Sequence, residues 1–297
     1  HSSVTVNYQA VGSGAGIQQY TKGTVDFGAS DVPMTDAELT AAGGADSLVE
    51  IPTIVGVVAI AYNVASVSNL KLDGPTLAGI YLGNIKKWND PAITALNSGV
   101  QLPSTNITVV HRSDGSGTSY AFTDYLSKIS PDWKSKVGAG KSVSWPTGIG
   151  AAQNAGVGQA VQQTDGAIGY VELAYVVQAN LKAAQLKNAA GQFIAPSLDA
   201  ASAAAASNTN PSPTNFSITN TSGSTAYPIA SFSWLIIKKA QADATKGKAL
   251  VYLFKWLVTD GQTDGKALQY APLPKVAQDY ALAQLKLVTA GGSPVLK

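Results

Sequence analysis

Two apolar stretches far apart in the chain limit its possible folds more than any other feature. Residues 54–64 and 227–237 each have the length and side chains of an extended, buried strand. A strand that is apolar on both faces has to be covered on both, so it runs through an interior. We read the two stretches as strands that cross between two domains. The 297 residues agree, since that length allows two units, each with its own core. The expected division places residues 1–65 and 235–297 in one lobe and residues 66–234 in the other, with hinge strands near 54–64 and 227–237.

Elsewhere, strand-like and helix-like segments alternate, which is the pattern of an α/β fold. Val4–Tyr8 alternates as a strand, and Val25–Ala29 is a second short strand candidate. Thr35 and Glu38 have capping-box spacing. Ile51–Val64 reads as a long buried strand. Leu77–Trp88 looks helical until Gly83 interrupts it. Asn106–His111 predicts a strand, and Phe122, Tyr125, Leu126 and Ile129 mark one face of the helix after it. Gly166–Val171 is a further strand, and alanine-rich residues 198–206 a helix. Residues 207–226 read as a surface loop, Tyr227–Ile237 as the last long strand, and residues 240–259 as a helix.

Composition excludes several kinds of chemistry. Lysine and arginine number 20 against 18 acidic residues, a net charge of +2, so neither a nucleic-acid partner nor a polybasic membrane anchor is expected. No uninterrupted apolar run approaches the roughly 18 residues of a membrane span. Without cysteine there is no thiol catalysis, disulfide or Cys/His zinc site, and neither metal nor cofactor is expected. A histidine-based site would need His1 or His111. His111 precedes Arg112 on a strand, so their side chains face opposite ways, and His111 reads as structural or surface.

Hydroxyls, amides, one arginine and a few carboxylates remain, and they gather in three turns after strands. These are Gly12-Ser13-Gly14, then Ser30-Asp31, and Arg112-Ser113-Asp114-Gly115-Ser116-Gly117-Thr118. Each puts backbone N–H groups at or near a helix start, where anions are favoured. The third adds a guanidinium fork and hydroxyls, donors suited to a tetrahedral oxyanion. Asp114 is placed to accept from Arg112. Taken singly, this turn is equally an ordinary strand-to-helix connection capped by Ser116. Gly138-Ala139-Gly140-Lys141-Ser142 looks like a nucleotide-binding loop, but Ser135 stands where that motif needs its first glycine, and an extended segment follows. Trp88, Trp145, Tyr170 and Trp256 are expected in core or hinge packing; Glu172, at a strand end, is a candidate carboxylate ligand, but a solvated or backbone-bonded role is the favoured reading.

Longer motifs also resemble a known family. Val6–Gly14, Val25–Asp31, Ile80–Pro91, Arg112–Thr118, Val143–Pro146 and Gly166–Glu172 are similar, in order, to the phosphate-binding proteins of bacterial ABC phosphate transporters. The resemblance covers nearly the whole chain. It implies a two-lobed periplasmic-binding-protein fold of type II, each lobe a mixed sheet flanked by helices, joined by crossover strands. It implies inorganic phosphate as ligand, bound by Ser13 and Asp31 from one lobe and by Arg112, Ser116, Gly117 and Thr118 from the other. Gly12, Gly14, Ser30, Asp114 and Gly115 would support them. Asp31 would accept the proton of hydrogen phosphate and repel fully ionised sulfate. The family also has a first strand and helix carrying a Thr-Phe pair on phosphate, and this sequence is expected to begin after them.

The expected function is therefore that of an exported, monomeric, non-enzymatic receptor. It would act in the periplasm or cell envelope and deliver phosphate to the membrane permease of an ABC importer. A binding protein for another oxyanion, sulfate or molybdate, and a phosphate-ester hydrolase are the alternatives.

Overall fold

The computed structural model describes residues 4–296. His1, one of the two candidate histidines, lies outside the described residues. The frame is a seven-stranded mixed sheet. Its strands are β1 (Gly28–Ser30), β2 (Leu48–Tyr62), β3 (Thr108–Arg112), β4 (Ile149–Ala151), β5 (Ala167–Glu172), β6 (Lys182–Ala183) and β7 (Ala230–Lys238). Along the sheet the order is β1-β7-β2-β5-β3-β4, with β6 also paired to β2.

β2 organises the sheet because it changes partners partway along. Residues 48–57 pair antiparallel with β7, and residues 58–62 pair antiparallel with β5. β3 lies parallel to both β5 and β4. β2 is buried over nearly its whole length, as is β7, in keeping with apolar side chains on both faces. Between Ser233 and Trp234 the β2–β7 register shifts, leaving Thr53 with no residue opposite, next to Pro52, which has no N–H for the ladder. The Thr53 hydroxyl donates to the Ser233 carbonyl at 2.9 Å across this bulge.

Helices cover the faces. They include α1 (Ser13–Thr21), α2 (Asp36–Ala41), α3 (Gly74–Tyr81), α4 (Gly117–Ile129), α5 (Gln153–Gln163), α6 (Leu173–Gln178), α7 (Leu198–Ala206), α8 (Ala244–Val258) and α9 (Lys275–Lys286). The Thr35–Glu38 capping box is formed at the start of α2. α3 stops at Tyr81, ahead of the helical pattern's expected end, and Gly83 takes the left-handed φ of 75° two residues on. α4 buries Phe122, Tyr125 and Leu126 as its spacing requires. The helix expected over 240–259 begins at Ala244, after Asp243 accepts from Thr245 and Lys246 N–H groups.

Three expectations need correction. Val4–Tyr8 is not a strand, although it alternates; among the described residues no strand pairs with it, and Val4, Val6 and Tyr8 are exposed. β1 is confined to Gly28–Ser30, leaving Val25 exposed ahead of it. Trp256 is 44% exposed and belongs to neither core nor hinge, whereas Trp88 and Tyr170 are fully buried. The loop 207–226 has no regular element but does bury Ile218, Thr219 and Ala226.

Glu50 is the carboxylate that the frame buries within β2 itself. Its Oε1 accepts from the Met34 N–H at 2.7 Å, and burial raises its pKa from 4.5 to about 7. A raised folded-state pKa means the native chain holds the proton more tightly than the unfolded one. Its contribution is therefore full below pH 4.5 and is lost as pH rises toward 7. Glu50→Gln keeps the acceptor without the charge. It should raise the melting temperature at pH 8, by up to about 3 kcal/mol of stability, and barely change it at pH 4.5. Equal shifts at both pH values in thermal melts would contradict this.

Candidate functional site

The ends of three strands converge on one cleft. β1 leads into Asp31, β3 ends at Arg112 and β5 ends at Glu172. Ligand crevices of open α/β sheets lie at such carboxyl ends. The cleft has a volume of about 940 Å³, and its walls include Ser13, Asp31, Arg112, Gly117, Thr118 and Glu172.

Arg112 is the buried cation of the cleft, 5% exposed. Its Nε and Nη2 donate to the two oxygens of Asp114 at 2.7 and 2.5 Å, a bidentate pair that fixes the plane of the guanidinium. Burial works against the charge on Asp114, but the Arg112 bonds and the Gln153 N–H hold its pKa below the usual carboxylate range. Nη1 points toward the Thr118 hydroxyl, 3.4 Å away. The backbone of Arg112 is fixed by Tyr170, whose hydroxyl accepts from the Arg112 N–H at 3.0 Å and meets the Ser119 hydroxyl at 2.6 Å. Phe122 stacks on Tyr170 at 4.4 Å, so the apolar face of α4 and the strand β5 together set where the arginine stands.

Ser116 caps α4, its hydroxyl oxygen accepting from the Ser119 N–H at 3.1 Å. Its own hydroxyl hydrogen remains free to donate. Opposite stands Ser13, the first residue of α1. Its oxygen accepts from the Asp31 N–H at 3.2 Å and from the Gly117 N–H at 3.1 Å, joining all three expected turns in one interaction. The Gly14 N–H donates to the Gly115 carbonyl at 2.9 Å beside it. Asp31 accepts from the Ser233 hydroxyl at 2.7 Å, next to the β2–β7 bulge. Burial raises the Asp31 pKa, and the Ser233 bond and Arg112 oppose that rise. Ser30, in contrast, turns away, its hydroxyl donating to the Val32 carbonyl at 2.5 Å.

Two glycines are required by this closeness. Gly12 has a φ of 86°, and a Cβ there would stand 2.8 Å from Asp114 Oδ2. A Cβ on Gly117 would stand 2.5 Å from the Asp31 Cβ and 2.6 Å from Ser13 Oγ.

Two other sequence readings resolve here. His111 stacks on Trp145 at 4.7 Å, and its Nδ1 lies 3.1 Å from the Arg112 carbonyl, apart from the convergent hydroxyls. Lys141, in the segment that looks like a nucleotide-binding loop, pairs instead with Glu38 of α2.

Glu172 overturns its expected role. It is 6% exposed and lines the cleft. Desolvation, then the neighbouring Asp31, raises its pKa to about 8, against the opposing effect of Tyr270, Arg112 and Thr118. The signal that could have found it is its place as the one charge ending the strand Ala167-Ile168-Gly169-Tyr170-Val171-Glu172, which is buried throughout.

Among known proteins, a family profile described as the PBP superfamily domain matches residues 1–258. A phosphate-binding protein PstS of Xylella fastidiosa is 46% identical over 273 residues, 91% of this chain and 74% of the relative. A phosphate-binding protein PstS of Pasteurella multocida is 45% identical over 285 residues, 95% of this chain and 82% of the relative. The solved structure of a periplasmic phosphate-binding protein, PfluDING, bound with phosphate superposes with a TM-score of 0.77 at 23% identity, covering 95% of this chain and 87% of that one.

Because Gly117 leaves no room for a side chain, Gly117→Ala should force the start of α4 away from Ser13 and Asp31. The expected result is a wider cleft, measured as a larger radius of gyration in solution X-ray scattering. An unchanged radius would show that the neighbours absorb the methyl group locally.

Proposed function

This chain belongs to the PstS phosphate-binding proteins of the PBP superfamily, and on that premise we propose that it binds inorganic phosphate in the cleft and delivers it to an ABC importer. One observation carries the site assignment. Ser13 Oγ, the Gly117 N–H, Asp31 and a guanidinium held rigid by Asp114 all converge on the start of the 13-residue helix α4. Such a helix start favours an anion.

In this reading Arg112 and the hydroxyls of Ser116, Thr118 and Ser13 donate to phosphate oxygens, as does the Thr118 amide, and the Gly117 amide joins them by leaving Ser13 Oγ. Asp31 is the acceptor. A carboxylate beside an anion is repulsive unless a proton lies between them, and hydrogen phosphate brings that proton. Fully ionised sulfate has none to offer, so it meets a lone pair against a lone pair. A site built around a ligand O–H rejects an analogue lacking it by roughly 10⁴-fold or more. The ligand is thus recognised by its proton as well as its shape.

We further propose that residues 1–65 with 235–297 form one lobe and residues 66–234 the other, closing about hinge strands near 54–64 and 227–237. The partner switch of β2 between Val57 and Val58 supports this division. We read the role as reception and not turnover. With His111 stacked on Trp145, neither Ser13 nor Ser116 is given an imidazole base among the described residues. Delivery to a permease places the chain outside the cell membrane, in the periplasm or cell envelope.

Isothermal titration should show one phosphate per chain and binding of sulfate weaker by orders of magnitude. Asp31→Asn, which can donate, should weaken phosphate and let sulfate in, narrowing the ratio at least a hundredfold. Equal affinities for the two anions in the wild type would end the proposal. An unchanged ratio in Asp31→Asn would remove Asp31 from it.

A further inference from the structure

Glu172 is a third carboxyl beside Asp31 and Asp114, and the proposed function leaves it unused. Its surroundings are specific. Asp31 faces it from the end of β1, Arg112 from the end of β3 and Thr118 from α4, while Tyr270 faces it from the segment between α8 and α9. Tyr175 on α6 is the further titratable group near Tyr270, and Tyr8 lies near both Asp31 and Tyr175. The Glu172 N–H donates to Asn154 Oδ1 at 3.2 Å, fixing its backbone. Gly56 on β2 makes the room, since a Cβ there would stand 3.1 Å from Glu172 Oε2. Glu172 pairs with Val58 at the point where β2 changes partners.

We infer that Glu172 is a positioning residue for the phosphate site, which in its neutral form ties Thr118 to Tyr270 across the cleft and which, once ionised, weakens phosphate binding. The inference rests on the phosphate reading above and deepens it. Charge counting leads to it. Arg112 already satisfies Asp114, and Asp31 faces the ligand as an acceptor. A third carboxylate there would add its repulsion to that between Asp31 and the anion, with no second cation among the described groups that face it. A proton on Glu172 removes that repulsion and leaves the carboxyl able to donate to one hydroxyl and accept from another. Tyr270 and Glu172 lie on opposite sides of the proposed lobe boundary. Closure therefore brings the phenol to the carboxyl, and the carboxyl orients Thr118.

Linkage gives the sign. The free protein loses the Glu172 proton near pH 8, and a bound anion holds that proton more tightly. Phosphate affinity should therefore fall above pH 8, approaching tenfold per pH unit. Titration calorimetry of the wild type, Glu172→Gln and Tyr270→Phe with inorganic phosphate from pH 7.5 to 9.5 tests this, because the ionisation of phosphate itself over that range is common to all three proteins. The wild type should show the fall. Glu172→Gln, permanently neutral, should lose most of the slope. Tyr270→Phe removes a group that favours the ionised form, so its fall should begin at higher pH. Thermal melts establish that each variant is folded. A flat wild-type profile, or the same slope in folded Glu172→Gln, overturns the inference, as does a folded Glu172→Gln that cannot bind at pH 7.5. Failure of the wild type to bind phosphate at any pH instead refutes the function on which it rests.

Discussion

One buried guanidinium governs the cleft. Arg112 is almost wholly withdrawn from water, and a charge in that position must be paired and hydrogen-bonded. Asp114 supplies the pairing, Tyr170 fixes the backbone, and the apolar face of α4 fixes Tyr170 through Phe122. Its Nη1 reaches the Thr118 hydroxyl beside the open cleft, and two more carboxyls, Asp31 and Glu172, stand near it. The arginine cannot neutralise all three. Burial raises the pKa of both Asp31 and Glu172, so in the proposed reading a protonated oxyanion fits this cleft better than a bare one.

Much of this was legible in the sequence, but unevenly. The turn from Arg112 to Thr118 was readable because guanidinium, hydroxyls and glycines stand consecutively before a helix with a clear apolar face. The two long strands were readable because a segment apolar on both sides has to be covered on both, which confines it to the interior of a sheet. Glu172 was read chiefly as solvated because a strand-ending carboxylate usually reaches water, and only the packing shows that Gly56, Asp31 and Tyr270 enclose it. Val4–Tyr8 misled for the opposite reason. Alternation describes side-chain chemistry, but a strand also needs a neighbour for its N–H and C=O groups, and that information is not local. Trp256 likewise reads as core by residue type and yet stands on the outer side of α8.

The low charged fraction, 13%, fits the way the site works. Lysines scattered over the cleft would attract any anion and discriminate little. Hydroxyls and amides act only in the directions in which they point, and here they are aimed by helix starts and by the bulge at Thr53. Ser116 shows how this is achieved. The same hydroxyl caps α4 as an acceptor and keeps its hydrogen for the cleft, so one residue supports the helix and presents a donor.

The meeting of Gly14 with Gly115 has a temporal consequence. That backbone hydrogen bond, the Gly117 N–H on Ser13 and the Lys141–Glu38 pair all join the same two walls. Each must break before the walls part, and none need form before an ion arrives. Capture is then governed by how often the walls swing open, and escape by how long several short bonds hold together. Such a receptor lets go slowly when left alone. A partner that competes for the outlying ion pair, by drawing Lys141 or Glu38 away, would shorten that dwell without touching the ion.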